Sequence, residues 1–348
     1  MHKIVFPNNS IGWTGGDNYL ANAIGAFKEL ESEGLVTILD FPKASRFKKS
    51  APIARINEQI EHVLYSRKGV NFPWPISRYS NSKIFWIPDL QDVELPSFFS
   101  EEEIENRHKT RVTLMKKGYR IFLGSETSAD LFVRTFSYDK VSFVRFAMPP
   151  SFVQNLQLNS PDFSCVENCN SKAAYFYLPN QWWRHKNHIS LIKAYRSYLE
   201  CGGRYHLVLT GSETDPRWHE EHNAIELEIS TISPEKIHRL GQIDRFAQLQ
   251  TLAHCFLLVQ PSLYEGWSTS IEEGIALRKA IICSNLPILQ EQTMNYPKIN
   301  YVDPMDVDGI THSLLESENL QFNNVFSSNG DFRWNRFKSD LMDVLNAD

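Results

Sequence analysis

The sequence holds no apolar run approaching the roughly 18 residues that a membrane-spanning helix requires. Its opening, MHKIVFPNNS, contains no apolar core of a secretory leader. Both absences lead to the expectation of a cytoplasmic protein. Cysteine is scarce: Cys165, Cys169, Cys201, Cys255 and Cys283 make five in 348 residues. An odd handful in a long chain points to reduced thiols rather than a disulfide framework. The spacing of Cys165 and Cys169 is not the CxxC of a zinc site, so no metal is expected. There is no excess of basic charge either, the formal net charge being −5, and composition gives no reason to expect nucleic acid. Three nucleotide and nucleophile signatures are missing. Without GxGxxG, a P-loop or GxSxG, an ordinary dinucleotide-binding enzyme, an ATPase and a hydrolase are all poorly supported. No repeat of solenoid period appears.

What is present is ordinary globular material, 42% apolar and 22% charged, in a length that suits two domains. Short apolar runs rich in β-branched and aromatic residues alternate with stretches of helical period, the rhythm of βα units on a parallel sheet. In the first half, strands are expected at 3–7, 35–41, 83–88, 120–124 and 141–146, with helices at 17–32 and 100–117. The proline- and serine-bearing segment 149–171 reads as a linker. The rhythm then restarts. Strands are expected at 173–178, 206–210, 237–240, 255–260 and 280–284, and helices at 188–198, 218–229, 245–254 and 268–277. A last helix is expected over 332–345. The expected division is therefore 1–160, 161–330 and a terminal helix from 331 that packs back on the first domain. Two doubly wound parallel-sheet domains would turn their strand ends to a central cleft, where ligands of such sheets bind.

Charge is divided unevenly. Residues 1–150 carry 20 Lys and Arg against 17 Asp and Glu, while the remainder carries 16 against 24. Nine basic residues crowd into 41–83 against only Glu58 and Glu61. With Phe47, Phe72 and Trp74 nearby, that segment could meet an anionic membrane surface or a phosphate-bearing acceptor, or form only a solvated face.

Chemistry concentrates in two places. After the first strand, Gly12-Trp13-Thr14-Gly15-Gly16-Asp17 leads into a helix, where glycine lets the backbone approach a ligand and free N–H groups can hold phosphate. A tight turn would use the same glycines. The second place is Pro261-Ser262-Leu263-Tyr264-Glu265-Gly266-Trp267-Ser268-Thr269-Ser270-Ile271-Glu272-Glu273-Gly274. Glu265 follows an apolar strand and Glu273 lies on the next helix. The loop between them, Gly266 to Thr269, presents backbone donors at a helix N-terminus that Ser268 can cap. Carboxylates so placed can accept hydrogen bonds from the vicinal hydroxyls of a sugar or ribose.

These residues make the sequence resemble glycosyltransferases of family 4, whose E-x7-E motif matches Glu265 and Glu273. The similarity also takes in Tyr177 to His188, Leu209-Thr210-Gly211, Val259 to Glu273, Ile281 to Asn285 with Glu291-Gln292, and Val302-Asp303-Pro304. In the first half it rests on Gly15 to Leu20, Trp86 to Leu90 and Pro96 to Ser100. The resemblance implies the GT-B fold, two Rossmann-like domains. It implies a retaining, metal-independent transferase without a cofactor, using a nucleoside diphosphate sugar as donor and a glycan or lipid-linked acceptor in cell-surface polysaccharide or glycolipid assembly. It further implies that Glu273 binds the ribose, that Glu265 lies by the donor sugar, and that the backbone of Gly266, Trp267, Ser268 and Thr269 orients sugar and diphosphate. Lys186 matches the phosphate-binding lysine, and Gly15 and Gly16 match the loop facing the diphosphate. Peripheral contact with the inner membrane face through 41–83 is a further expectation.

The sequence departs from the family pattern twice. Five residues before Lys186, where the family often has arginine, stands Gln181, and Arg184 is the neighbouring substitute. Where many members carry His-Asp, this chain has Pro88-Asp89, which leaves Asp89 and Asp92 as acceptor-side candidates. His185 and His188 sit three apart without a third ligand and read as solvent-facing polar side chains rather than metal ligands. Trp182 and Trp183 could stack a base or sugar, but fit better as packing. Alternatives to a transferase are a GT-B sugar-nucleotide epimerase and a non-catalytic nucleotide-sugar or glycan binder. A two-lobed binding protein is the fold alternative, disfavoured by the E-x7-E match and the missing leader.

Overall fold

A computed structural model describes residues 1–6, 14–39, 70–73, 82–154, 174–213, 219–319 and 329–347. The chain divides into two compact units. Unit 1 is Met1–Pro149 with Asn329–Asp348, and unit 2 is Pro150–Ser328.

Unit 1 contains strands β1 (His2–Val5), β2 (Val36–Ile38), β3 (Val70–Asn71), β4 (Ile84–Trp86), β5 (Arg120–Leu123) and β6 (Val141–Phe143). They form two parallel sheets of three, ordered β2-β1-β3 and β4-β5-β6. A backbone bond from Trp86 N to Pro73 O, 3.0 Å, joins the two groups. Helix α1 (Thr14–Ser32) covers β1 and β2, and short α2 (Gln91–Glu94) precedes α3 (Glu101–Lys116). Helix α3 begins at a capping box. The Ser100 hydroxyl accepts from Glu103 N while the Glu103 carboxylate accepts from Ser100 N, which occupies two of the otherwise unpaired terminal donors. Helix α4 (Glu126–Phe136) follows β5, and α5, the single turn Ser151–Gln154 inside the stretch that reads as a linker, already belongs to unit 2.

The segment of the basic 41–83 cluster lies mostly outside the described residues, as do Cys165, Cys169 and the loop of Gly12 and Trp13. Cys201, Cys255 and Cys283 are free thiols.

The last helix, α12 (Asn329–Asn346), belongs to unit 1. Its apolar stripe of Trp334, Phe337 and Leu341 is fully or nearly fully buried. Phe337 meets the rings of Tyr19 and Phe146, and Tyr19 stacks on Trp86 at 4.3 Å between centroids. Its polar edge is anchored as well. Asp340 receives a forked bond from Arg145 (2.8 and 2.9 Å) plus Arg145 N, Trp334 Nε1 donates to Glu29 at 2.9 Å, and Lys338 pairs with Glu33 at 2.8 Å.

Unit 2 is built on one six-stranded parallel sheet. In chain order its strands are β7 (Tyr175–Pro179), β8 (His206–Thr210), β9 (Ile237–Arg239), β10 (Leu257–Gln260), β11 (Ala280–Ser284) and β12 (Ile299–Val302). In space the order is β12-β11-β10-β7-β8-β9. The central strands carry near-continuous apolar runs because both faces are covered, as parallel sheets demand. Side chains alternate between two cores. Phe176, Leu178, Leu207 and Leu209 pack with α6 (His188–Glu200) and α11 (Val307–Ser317), while Tyr175, Tyr177, Val208 and Leu258 pack with α9 (Thr269–Ala276) and α10 (Pro287–Thr293). Helices α7 (His219–Ser230) and α8 (Arg245–His254) complete the layers.

The sequence pattern does not predict α4, α10, α11 or β12. Strand β12 is an edge strand in which only Val302 is buried and Asn300 is exposed, so it carries no continuous apolar run. The two-residue β3 is below the length at which alternation can be read.

Removing the Phe337 ring tests the docking of α12. Phe337→Ala should lower the stability of unit 1 by about 3–5 kcal/mol, read as a shift in urea unfolding. A change below about 1 kcal/mol would show that the helix does not contribute to this core.

Candidate active site

The strand order of unit 2 reverses between β7 and β10. In open parallel sheets the crevice for a ligand lies beyond the carboxyl ends of the strands at that reversal. The residues that follow these two strands are Asn180 to Asn187 and Pro261 to Ser268, the segments that hold the candidates Gln181, Arg184, Lys186 and Glu265 to Ser268.

A buried amide pair ties the strand ends together. Asn180 Nδ2 donates to Gln260 Oε1 at 3.0 Å, and Gln260 is wholly buried at the end of β10. Gln260 Nε2 then donates to Ser262 Oγ (3.0 Å) and to Glu265 Oε1 (2.8 Å). Ser262 Oγ donates to the same oxygen at 2.7 Å, and Lys186 Nζ completes the set at 2.7 Å. Glu265 is thus a carboxylate only 6% exposed, held by an ion pair and two neutral donors, all on Oε1. Burying a charge demands this degree of matching.

The lysine is delivered by a single 3-10 turn, Arg184–Lys186. Asn187 ends that turn in the left-handed region (φ 56°), a conformation asparagine tolerates better than most residues. Its Nδ2 donates to the carbonyls of Pro261 (3.0 Å) and Pro304 (2.7 Å), and Leu263 N donates to His185 O at 2.7 Å. The two loops are laced together by these bonds. Arg184 is half-buried in the same turn.

Glu273 lies on α9 and is 1% exposed. Its Oε1 accepts from Arg245 Nη2 at 2.6 Å, and its Oε2 has no hydrogen-bond partner among the described residues. Burial pushes the carboxyl pKa above its ordinary value, and the Arg245 guanidinium pulls against that. The helix can approach β10 because Gly274 has no side chain. A Cβ there would stand 2.7 Å from Leu258 Cδ2. Ser268 caps α9, its hydroxyl accepting from Ile271 N at 3.4 Å. Gln292 braces that cap, accepting from Ser268 N (3.1 Å) and donating to Ser268 O (2.7 Å) and Glu272 Oε1 (3.2 Å). Gly266, Trp267 and Thr269 are half-buried around it.

The structure therefore brings Glu265 and Lys186 together and places Glu273 on the adjoining helix with a partner that sequence reasoning missed. The missed residues are Asn180, Gln260, Ser262, Arg245 and Gln292. A polar Gln260 ending the apolar run Leu257-Leu258-Val259 was the available signal. Gln181 is engaged locally, its Oε1 accepting from Ser212 N at 2.8 Å. This turn requires glycine at 211, where φ is 119° and a Cβ would fall 2.1 Å from Asn180 O. His185 and His188, both expected at the surface, are buried instead. His188 stacks on Trp182 at 5.1 Å and hydrogen-bonds the Asn180 carbonyl, and burial beside Lys186 pushes its pKa down to about 3. Among the described residues, no group of three or more His, Cys, Asp or Glu could hold a metal ion.

In unit 1, Gly15 and Gly16 fall in the first turn of α1. Asp89 Oδ1 accepts from Gln91 N at 3.2 Å and lies 3.6 Å from Arg107. Asp92 is buried, and both its oxygens face the Arg111 guanidinium, one at 2.6 Å. This forked pair commits Asp92 to holding α2 against α3.

Comparison with known proteins adds to this geometry. Residues 164–330 match the family described as Glycosyl transferases group 1. The O-antigen chain mannosyltransferase RfbU of Salmonella typhimurium is 25% identical over 196 residues, which is 52% of this chain and 53% of that protein. The chain thus matches about half the length of that curated relative. Among solved structures, Anabaena HepE in complex with UDP and glucose superposes with a TM-score of 0.65 at 15% identity, covering 100% of both chains. The sucrose-phosphate synthase of Thermosynechococcus elongatus gives 0.62 at 14%, covering 99% of this chain and 95% of that one. These likenesses establish the fold, the GT-B type of two Rossmann-like units in one chain.

The buried His188 makes a prediction about acid stability. An ordinary histidine takes up a proton near pH 6.5 in the unfolded chain, whereas the folded ring stays neutral to about pH 3. Stability from this site is complete above about pH 6.5 and is lost progressively as the pH falls toward 3. His188→Phe should lose less stability between pH 7.5 and 5.0 than the wild type, measured by urea unfolding at both values. Equal losses would contradict the assignment.

Proposed function

We propose that this protein is a glycosyltransferase that moves a sugar from a nucleoside diphosphate donor to an acceptor hydroxyl, with retention at the anomeric carbon, in cell-surface polysaccharide or glycolipid assembly. The observation that carries this reading is the buried carboxylate pair at the sheet reversal of unit 2, inside the segment that matches group 1 glycosyl transferases. The mannosyltransferase named among the relatives and the UDP and glucose of the HepE complex support a nucleotide sugar as donor.

In this reading Glu273 accepts from the ribose hydroxyls through Oε2, and Glu265 lies against the donor sugar. Lys186 gives one of its three N–H donors to Glu265 and turns the others to the diphosphate. Arg184 and the backbone from Gly266 to Thr269 add further positive potential, and Gln181 borders the donor; Gly15 and Gly16 stay as donor-binding proposals in unit 1. The bond between the anomeric carbon and the β-phosphate oxygen breaks, and its electron pair leaves with the phosphate. The acceptor oxygen attacks the same face of that carbon, and its proton passes to the departing phosphate oxygen. Charge on the leaving group is met by preplaced cations and a helix N-terminus, which is why the proposal includes no cofactor. Asp89 and Asp92 remain the acceptor-side proposals, Asp92 acting only through the loop it fixes. No helix among the described residues is long and apolar enough to cross a membrane. Peripheral contact through 41–83 would bring the enzyme to a lipid-linked acceptor.

A non-catalytic nucleotide-sugar binder is the second reading, favoured by Gln181 standing where an arginine is usual and by its engagement with Ser212. Turnover decides between them. With GDP-mannose and UDP-glucose and a lipid-linked glycan fraction as acceptor, the wild type should release nucleoside diphosphate in an acceptor-dependent way. Glu265→Gln should cut kcat by about 10²- to 10³-fold, the range for losing a preplaced electrostatic partner, with an unchanged circular dichroism spectrum. Unaltered turnover in the variant would sink the assignment of Glu265, and release of no diphosphate by the wild type would favour the binder.

A further inference from the structure

Glu273 accepts most strongly from a ribose when it is ionised and one oxygen is left over, and the structure contains a residue that bears on both conditions. Arg245 is the first residue of α8, on the loop that leaves β9, and so reaches Glu273 from a different βα unit. Its Nη2 meets Glu273 Oε1 at 2.6 Å, and its Nη1 donates to Gln248 Oε1 at 3.1 Å, so the guanidinium is fixed at two points. The opposite oxygen, Oε2, is buried without a partner among the described residues. A buried acceptor left unpaired is costly, which marks Oε2 as waiting for a donor. The other groups around the carboxylate cannot supply the charge. Tyr177 on β7 is held neutral by burial and bonds Thr210 Oγ1 at 2.8 Å, and Glu272 on the same helix is a like charge that accepts from Gln292.

We propose that Arg245 is a positioning residue for donor recognition: it occupies one oxygen of Glu273, keeps the group charged, and aims the other oxygen at a vicinal diol of the nucleoside. This rests on the reading of Glu273 as the ribose ligand. Without Arg245 the effect of burial would lose its opponent, and the carboxyl pKa would move further above its ordinary value. A protonated carboxyl loses much of its accepting power, so donor affinity should become pH-dependent, weak at low pH and recovering as the pH rises.

The test is binding of UDP, GDP, ADP and TDP by calorimetry from pH 6 to 9, using wild type, Arg245→Gln, Arg245→Lys and the double variant Arg245→Gln/Glu273→Gln. Arg245→Met replaces Arg245→Gln should that variant not fold. For the nucleotide that the wild type binds, each variant is read as its affinity relative to the wild type at the same pH, which cancels the titration of the terminal phosphate at about pH 6. Arg245→Gln should be at least roughly tenfold weaker at pH 6 and approach the wild type by pH 9. Arg245→Lys should follow the wild type, and the double variant should be weak and flat. The 2′,3′-dideoxy form of the same nucleotide should bind Arg245→Gln at pH 6 as well as the ribo form does. Wild-type affinity in Arg245→Gln at every pH would overturn the proposal while leaving the donor reading intact. A uniform loss without pH dependence would also overturn it, in favour of direct contact with the ligand. If the wild type binds none of the four, the donor reading itself fails and this inference falls with it.

Discussion

Two carboxylates buried at one end of a parallel sheet set the terms for the rest of unit 2. Glu265 and Glu273 are 6% and 1% exposed, and neither could be taken out of water alone without a penalty of several kcal/mol. Each is matched by one cation, Lys186 at 2.7 Å and Arg245 at 2.6 Å. Much of the local sequence serves to hold those cations in place. Asn187 takes a left-handed conformation so that the turn before it can present Lys186, and Gly274 removes a side chain so that α9 can bring Glu273 against β10. The two carboxylates differ in one respect that matters for chemistry. Among the described residues, Glu265 has three donors on a single oxygen, whereas Glu273 has one donor on Oε1 and none on Oε2.

Topology explains why the pair sits where it does. A sheet ordered β12-β11-β10-β7-β8-β9 grows outward from β7 in one direction and from β10 in the other, so the loops leaving those strands part and open a crevice. The Asn180–Gln260 amide pair bridges the two strand ends at that point, between residues 80 positions apart in the chain. It is buried, and buried amides matched to each other fix a register that apolar contacts leave free to slide.

Much of unit 2 was legible beforehand because its strands are buried on both faces and its helices are amphipathic. Strands at 206–210 and 280–284 and the helix at 245–254 coincide with the observed β8, β11 and α8. The pairing of Lys186 with Glu265 was within reach of a motif, since both follow strands and point to one crevice. Gln260, Asn180 and Arg245 were not, because their importance depends on which strands are neighbours, and spacing along the chain does not encode that. His188 was misread for a related reason: a polar residue opening a helix looks solvated until Trp182 is seen to cover it. Unit 1 was harder throughout. Its strands run from two to four residues, and its core relies on rings contributed by α1, β4 and α12, segments more than 300 residues apart at the extremes.

The claim on which the account stands is that the free oxygen of Glu273 and the cations around it form a nucleoside diphosphate site. A thermal-shift comparison of wild type and Glu273→Ala against UDP, GDP, ADP, TDP and CMP tests it most directly, because a ligand that binds only the folded chain raises its melting temperature by mass action. The account predicts that one nucleoside diphosphate stabilises the wild type and not the variant. No shift with any nucleotide, or an equal shift in both proteins, would contradict it.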